Sequence, residues 1–239
     1  MKDVTRRRSN RPETGLNALS PLAEQVSLKQ QVTEILRNTI AAGDLLPGSL
    51  HSVRELAQRL GVSRTPVREA LIDLSSRGMV RFERNHGVRI LQTSIHDLDE
   101  IFEIRLLLEV PASRRAVERL DENGIRLLRT AFDAMERAAA AGDEQRMWRR
   151  DRSFHHTLLT LSGNRRLADY VDSLRDMVLM RGAVTAGRTR TLMQIVDEHR
   201  DILECIVQKD AAGTANALQA HIKHTAELLI IEGASSLSS

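Results

Sequence analysis

From Asp97 to about Ile231 the chain carries a single hydrophobic period, that of a helix. Apolar residues recur every three or four positions, and no stretch alternates as a strand would. Gly142, Gly163, Gly187 and Gly213 punctuate the run. Candidate helices cover 97–109, 111–120, 123–141, 143–162, 164–186, 191–208 and 211–231, with Pro111 read as a helix start. An all-α bundle of six or seven helices follows. Composition agrees, because aromatics are only 3% of the 239 residues and β sandwiches and barrels favour them. The lone cysteine, Cys205, excludes an intrachain disulfide and any zinc site of several cysteines, and fits a reducing, cytoplasmic setting. No apolar run approaches the ~18 residues of a membrane span. The N-terminus lacks the apolar core of a signal peptide.

The N-terminal third is built differently. Residues 1–93 carry a net charge of +6 and the remainder a net −3, the balance of a polyanion-binding module on an acidic body. Residues 1–20 are polar and basic without a hydrophobic period and read as a disordered arm; 233–239 read as a disordered tail. The Arg6-Arg7-Arg8 run reads as a solvated stretch, with phosphate contact as the alternative. Between Leu22 and Ile40, Val26, Val32, Ile35, Leu36 and Ile40 have helical spacing. Ser52-Val-Arg-Glu55 is a capping-box pattern opening a second helix that ends at Gly61. After the turn Gly61-Val62-Ser63, a third helix is expected with Thr65 as N-cap and Pro66 at its first position. Val80 and Phe82, then Val88 and Ile90, alternate across Asn85-His86-Gly87 as a β-hairpin.

Three helices followed by a hairpin make a winged helix-turn-helix over 21–93. Its third helix would enter the DNA major groove with Ser63, Arg64, Thr65 and Arg68 toward base edges. At Gly87 a tight turn and a close backbone approach suit glycine. The segment Gly48-Ser-Leu-His-Ser-Val-Arg-Glu-Leu-Ala-Gln-Arg-Leu-Gly-Val-Ser-Arg-Thr-Pro-Val-Arg-Glu-Ala-Leu71 resembles the DNA-binding signature of the GntR family of bacterial transcription regulators. The resemblance implies operator contacts from Arg54, Arg64, Thr65 and Arg68, and a wing tip at His86-Gly87 reaching toward the minor groove. The body, 96–232, resembles the ligand-sensing FCD domain of the FadR-type branch. The matching stretches are Phe102-Glu-Ile-Arg-Leu-Leu-Leu-Glu109, Asp151-Arg-Ser-Phe-His155 with Leu161-Ser-Gly-Asn164, and Glu198-His199 followed by Asp210 and His221.

Five of the eight histidines lie after residue 150. Asp151 and His155, four apart, share a helix face. His199 and His221 are equidistant from the turn near Asp210, so an antiparallel helix pair would bring them to one height. Three imidazoles and a carboxylate suit zinc, with nickel or another first-row metal as alternatives. His156 and His224 read as surface or supporting groups. Arg105 falls on the apolar stripe Ile101, Leu108, Ala112, and Arg181 extends Leu174, Val178. An arginine so placed needs a partner: either Glu109, or the carboxylate of a ligand.

The expected protein is a homodimeric DNA-binding regulator, a repressor on a palindromic operator, responding to a small organic-acid effector bound at the metal beside Arg105 and Arg181. Two rivals stand beside it. A metal-dependent enzyme would need a general base next to the metal, and no His-Glu-x-x-His motif occurs. A constitutive DNA-binding protein with a structural metal would need no inward-facing arginines.

Overall fold

The computed structural model describes residues 26–179 and 189–235. The basic arm, Arg181, residues 180–186 of the helix expected over 164–186, and the last four residues of the expected tail lie outside them. The N-terminal head begins with α1 (Leu28–Ala41), whose capping box is closed by Ser27 and Gln30. Then come β1 (Leu50–His51), α2 (Val53–Leu60) and α3 (Arg64–Ser76), followed by β2 (Val80–Glu83) and β3 (Gly87–Ile90). The three strands form an antiparallel sheet in the order β1-β3-β2. Val32, Leu36 and Ile40 of α1, Leu56 of α2, Val67, Leu71 and Leu74 of α3, and Val88 and Ile90 of β3 close one apolar core.

The body holds six helices among the described residues: α4 (Ile95–Glu118), α5 (Glu122–Ala140), α6 (Glu144–Leu161), α7 (Arg165–Leu179), α8 (Leu192–Val207) and α9 (Ala211–Ser235). Side chains at the turns start them. Ser94, Asp121, Asp143 and Thr191 each accept from a first-turn amide, and Asn164 and Asp210 do the same for α7 and α9. Helix α4 runs along α9 and also touches α6 and α7; α8 lies between α5 and α9. A second core, built on Leu98, Phe102, Leu128, Met135, Phe154, Ile202 and Ile222, fills the bundle.

Several local expectations are corrected. The third helix begins at Arg64, two residues earlier than expected. Its N-cap is Ser63, whose side chain makes no capping bond, so Thr65 and Pro66 lie inside the first turn. Ser52 caps α2 through the Glu55 amide, but the Glu55 carboxylate reaches Arg59 at 3.9 Å. Strand β1 is two residues long, too short to show a period. The helices expected over 97–109 and 111–120 are one helix with Pro111 inside it. Pro111 removes the amide that would meet the Leu107 carbonyl. Both residues are exposed, so the freed carbonyl lies on the solvent side of the helix. The buried stripe Ile101, Arg105, Glu109, Ala112, Ala116 passes Pro111 without losing phase. Helix α9 continues to Ser235, into the stretch read as tail.

Gly87 is required by the head itself. It opens β3 with φ +114°, and a Cβ there would lie 2.3 Å from the His51 carbonyl oxygen of β1. The turn proper is centred on Asn85 (φ 63°). Gly87→Ala should therefore destabilise the protein by about 1–3 kcal/mol in equilibrium denaturation, through strain at β3 and its pairing with β1.

Candidate functional site: a buried histidine–aspartate cluster beneath the N-terminal head

The four residues Asp151, His155, His199 and His221 come from three helices, α6, α8 and α9, and all four are buried. One donor atom from each lies within 4.8 Å of the others. His155 Nε2 is 2.9 Å from His199 Nε2, and Asp151 Oδ1 is 3.0 Å from His199 Nε2 and 3.8 Å from His155 Nε2. Around a first-row ion bound at roughly 2.0–2.1 Å, neighbouring donors sit about 3 Å apart, so this spacing suits one. The His199 and His221 rings, with centroids 4.5 Å apart, stand at matching heights either side of the turn at 208–210.

Supporting groups fix which nitrogen faces inward. His199 Nδ1 donates to the Ile195 carbonyl at 2.7 Å, and His221 Nδ1 donates to Glu198 at 2.7 Å. A carbonyl or carboxylate can only accept, so the proton sits on Nδ1 and the Nε2 lone pair faces the cluster. His155 Nδ1 and Glu109 Oε2 face each other at 3.8 Å, and among the described residues neither has a hydrogen-bond partner. A slight closure would join them as a third histidine–carboxylate pair. His224 also reaches Glu198, at 3.0 Å, and His156 lies 3.2 Å from Asp172. Neither enters the cluster.

The electrostatics keep Asp151, His155 and His221 in the state that binds cations. Burial would raise the Asp151 carboxyl, but the guanidinium of Arg175, bonded to Oδ2, and the His199 ring hold it well below the usual range. Burial, then the Arg175 charge, push His155 well below an ordinary histidine. Burial, then His199, bring His221 down to about 4. Glu198 falls to about 2 because bonds from His221 and Arg190 outweigh its burial. Arg105 is buried on α4, its Nε 2.6 Å from Glu109 Oε1 and its guanidinium carbon 5.0 Å from the Phe102 ring centroid. Glu109 takes one edge of that fork. Arg175, from α7, is the second cation beside the cluster, and sequence reasoning passed it over. Its signal was there: Asp151-Arg152 in α6 is answered by Arg175-Asp176 in α7.

In the head, Arg54, Ser63, Arg64, Thr65, Arg68 and His86 are exposed and Gly87 is half-buried. The arginines divide by partner. Arg77 is paired with Asp73, and Arg89 with Glu83. Among the described residues no ion pair holds Arg54, Arg64 or Arg68. Arg68 instead lies 6.0 Å from the centroid of Phe82 in β2, linking α3 to the wing.

A family model described as bacterial regulatory proteins, gntR family, matches residues 28–90, and the FCD domain model matches 100–224. The chain belongs to the GntR family. It is 29% identical to an uncharacterized HTH-type transcriptional regulator, YdhC, of Bacillus subtilis, over 81% of this chain and 87% of that one. It is 28% identical to a probable D-xylose utilization operon transcriptional repressor of Paenarthrobacter nicotinovorans, over 87% and 91%. The solved structure of McbR/YncC from E. coli superposes with a TM-score of 0.75 at 26% identity, covering 87% of this chain and 99% of that one. The chain is thus a DNA-binding transcriptional regulator of the GntR family with an FCD body, and the enzyme reading is set aside. No described helix is long and apolar enough to cross a membrane.

The lowered histidines have a consequence for acid stability. Between about pH 6.5 and 4 the unfolded His221 binds a proton that the folded one refuses. Stability of the chelator-treated protein should therefore fall as pH drops through that window. Between pH 7.5 and pH 5 the loss from His221 alone is about 2 kcal/mol, with His155 adding to it. Denaturant unfolding at pH 7.5 and pH 5 checks this.

Proposed function

We propose that this GntR-family protein is a homodimeric, cytoplasmic repressor whose grip on a palindromic operator is set by a small carboxylate effector at a metal centre held by Asp151, His155, His199 and His221. The observation that carries the reading is the convergence of one carboxylate and three imidazoles in a buried pocket, with His199 and His221 held by acceptors at Nδ1 and Glu109 facing His155 Nδ1 at 3.8 Å. Zinc fits this donor set, and nickel or another first-row ion fits it also. The bound metal would supply a Lewis-acidic seat for an effector oxygen. The protein's own part is to hold the four donors, keep Nδ1 protonated on His199 and His221, and present guanidinium charge beside them. Arg105 is one such charge; Arg175 joins it. The Arg105–Glu109 bond also supports a purely structural Arg105, and the effector measurement below separates the two.

The head, proposed as residues 21–93, would place α3 in the major groove. Arg64, Thr65 and Arg68 would read bases, Ser63 and Arg54 would contact phosphates or bases, and His86 and Gly87 would approach the minor groove from the wing. Two heads carried by dimerised bodies (96–232) would each read one half-site. Arg64→Ala and Arg68→Ala should each weaken binding to an operator obtained by selection from random duplexes by about 1–3 kcal/mol and relax preference at one base position. Unchanged affinity and specificity in both would remove α3 from the groove.

The purified protein should carry about one metal ion per chain by elemental analysis. His199→Ala should lower metal content and thermal stability, since a metal bound only by the folded state stabilises it, and replacing the exposed His96 should do neither. Calorimetric titration with mono- and dicarboxylic acids should give binding that is lost on chelation and weakened in Arg175→Gln. Loss in Arg105→Ala as well would make that residue part of the effector site, and wild-type binding would leave it a partner of Glu109 alone. An uncharged effector would overturn the carboxylate reading.

A further inference from the structure

The side chain of Asp176, on α7, is fully buried, and three guanidiniums converge on it. Arg152 of α6 grips both of its oxygens. Arg37 of α1 reaches Oδ1 at 3.3 Å, and Arg77, at the C-terminal cap of α3, reaches Oδ2 at 3.3 Å. Arg37 and Arg77 belong to the head; Asp176 and Arg152 belong to the body. One carboxylate therefore ties together the first helix, the end of the recognition helix and the bundle. The seam around it is close. Thr93 Oγ1 donates to the Met177 carbonyl at 2.6 Å, and a Cβ on Gly78 would lie 3.3 Å from the Met177 side chain. Glu34, Asp73 and Asp172 balance the charges of Arg37, Arg77 and Arg152.

The preceding residue on α7 is Arg175, bonded to Asp151 of the histidine cluster. Helices α6 and α7 thus exchange two adjacent, crossed ion pairs. Asp151–Arg175 faces the cluster, and Arg152–Asp176 faces the head. Arg175 and Asp176 are neighbours in one helix with Cα atoms about 3.8 Å apart, so α7 cannot follow one without carrying the other. We infer that Asp176 is a latch through which the state of the Asp151 cluster sets the docking of the head, with Arg175 as its positioning residue. The inference rests on reading that cluster as the place where the regulator receives its signal. An anion arriving there competes with Asp151 for Arg175. As Arg175 follows it, α7 shifts beneath the two 3.3 Å bonds to Arg37 and Arg77. Docked and released heads are the two states that the cluster would bias.

Hydrogen exchange on the full-length protein tests this, in buffer with chelator so that metal plays no part. Asp176→Asn, the Arg37→Gln/Arg77→Gln double variant and Arg175→Gln should each speed exchange several-fold in peptides covering 28–41 and 74–80. Peptides from 122–140 should keep wild-type protection. Arg175→Lys, which keeps the charge, should restore protection of the head. Combining Arg175→Gln with the Arg37/Arg77 double variant should add nothing beyond the stronger of the two, because both act through one carboxylate. If Arg175→Gln does not fold, Asp151→Asn breaks the same inner pair and takes its place. Wild-type protection of 28–41 in Asp176→Asn, or additive effects of the inner and outer variants, would overturn the latch. A wild-type protein that binds no metal would sink the metal centre and leave this comparison unaffected.

Discussion

The cost of burying charge organises this molecule. Asp151, Arg105, Glu109 and Asp176 lie inside or beneath a helical bundle, out of water. Removing the partner of such a group costs about 3–5 kcal/mol, a large part of a domain's net stability. Asp151 is tolerated because α7 brings Arg175 to one of its oxygens, leaving the other for the histidines. That requirement, together with the apolar packing of Ala168, Val171, Leu174 and Val178, sets α7 against α6. Once α7 is placed, Arg152 meets Asp176, and Asp176 is presented to the head. The position of the DNA-reading module on the body thus follows from neutralising one carboxylate two helices away.

Much of this was legible in the chain, for reasons that differ by element. The bundle was readable because long amphipathic helices repeat their apolar stripe many times. The four cluster residues were readable because two geometric rules are local: positions four apart share a face, and residues equidistant from a helix turn sit side by side. Arg175, and the role of Glu198, escaped the reading for the opposite reason. Arg175 comes from a helix whose rotation is set by tertiary contacts and not by local spacing, and Glu198, though present in the matching stretch, shows its role only once His221 is known to need an acceptor. Pro111 misled because proline at a helix start and proline on the wet face of a continuing helix look alike in sequence. The unbroken stripe of Arg105, Glu109 and Ala112 was the better guide. Strand β1 left no trace, since two residues carry no period; only Gly87, opposite His51, marks where it lies.

The histidines also show how a polar cluster can persist inside an apolar bundle. The His199 and His221 rings are each held by an acceptor at Nδ1, and Phe154 stands edge-on against the rings of His155 and His199. Orientation is therefore set before any ligand arrives, and binding need not pay for ordering the rings. The depressed proton affinities act in the same direction, since neutral imidazoles are the form that coordinates a metal.

The sheet of the head carries a consequence for how such a regulator is tuned. Strand β1 stitches the wing to the start of α2, and Arg68 lies against Phe82, so recognition helix and wing move as one piece. A piece that rigid has few internal ways to trade one base sequence for another. In the proposed dimer, what the body would change is where each piece sits relative to its twin. A signal received in the bundle would then be written in the helical phasing between half-sites: lengthening or shortening the central spacer of an operator would alter how strongly the effector is felt, while the letters within each half-site stayed the same.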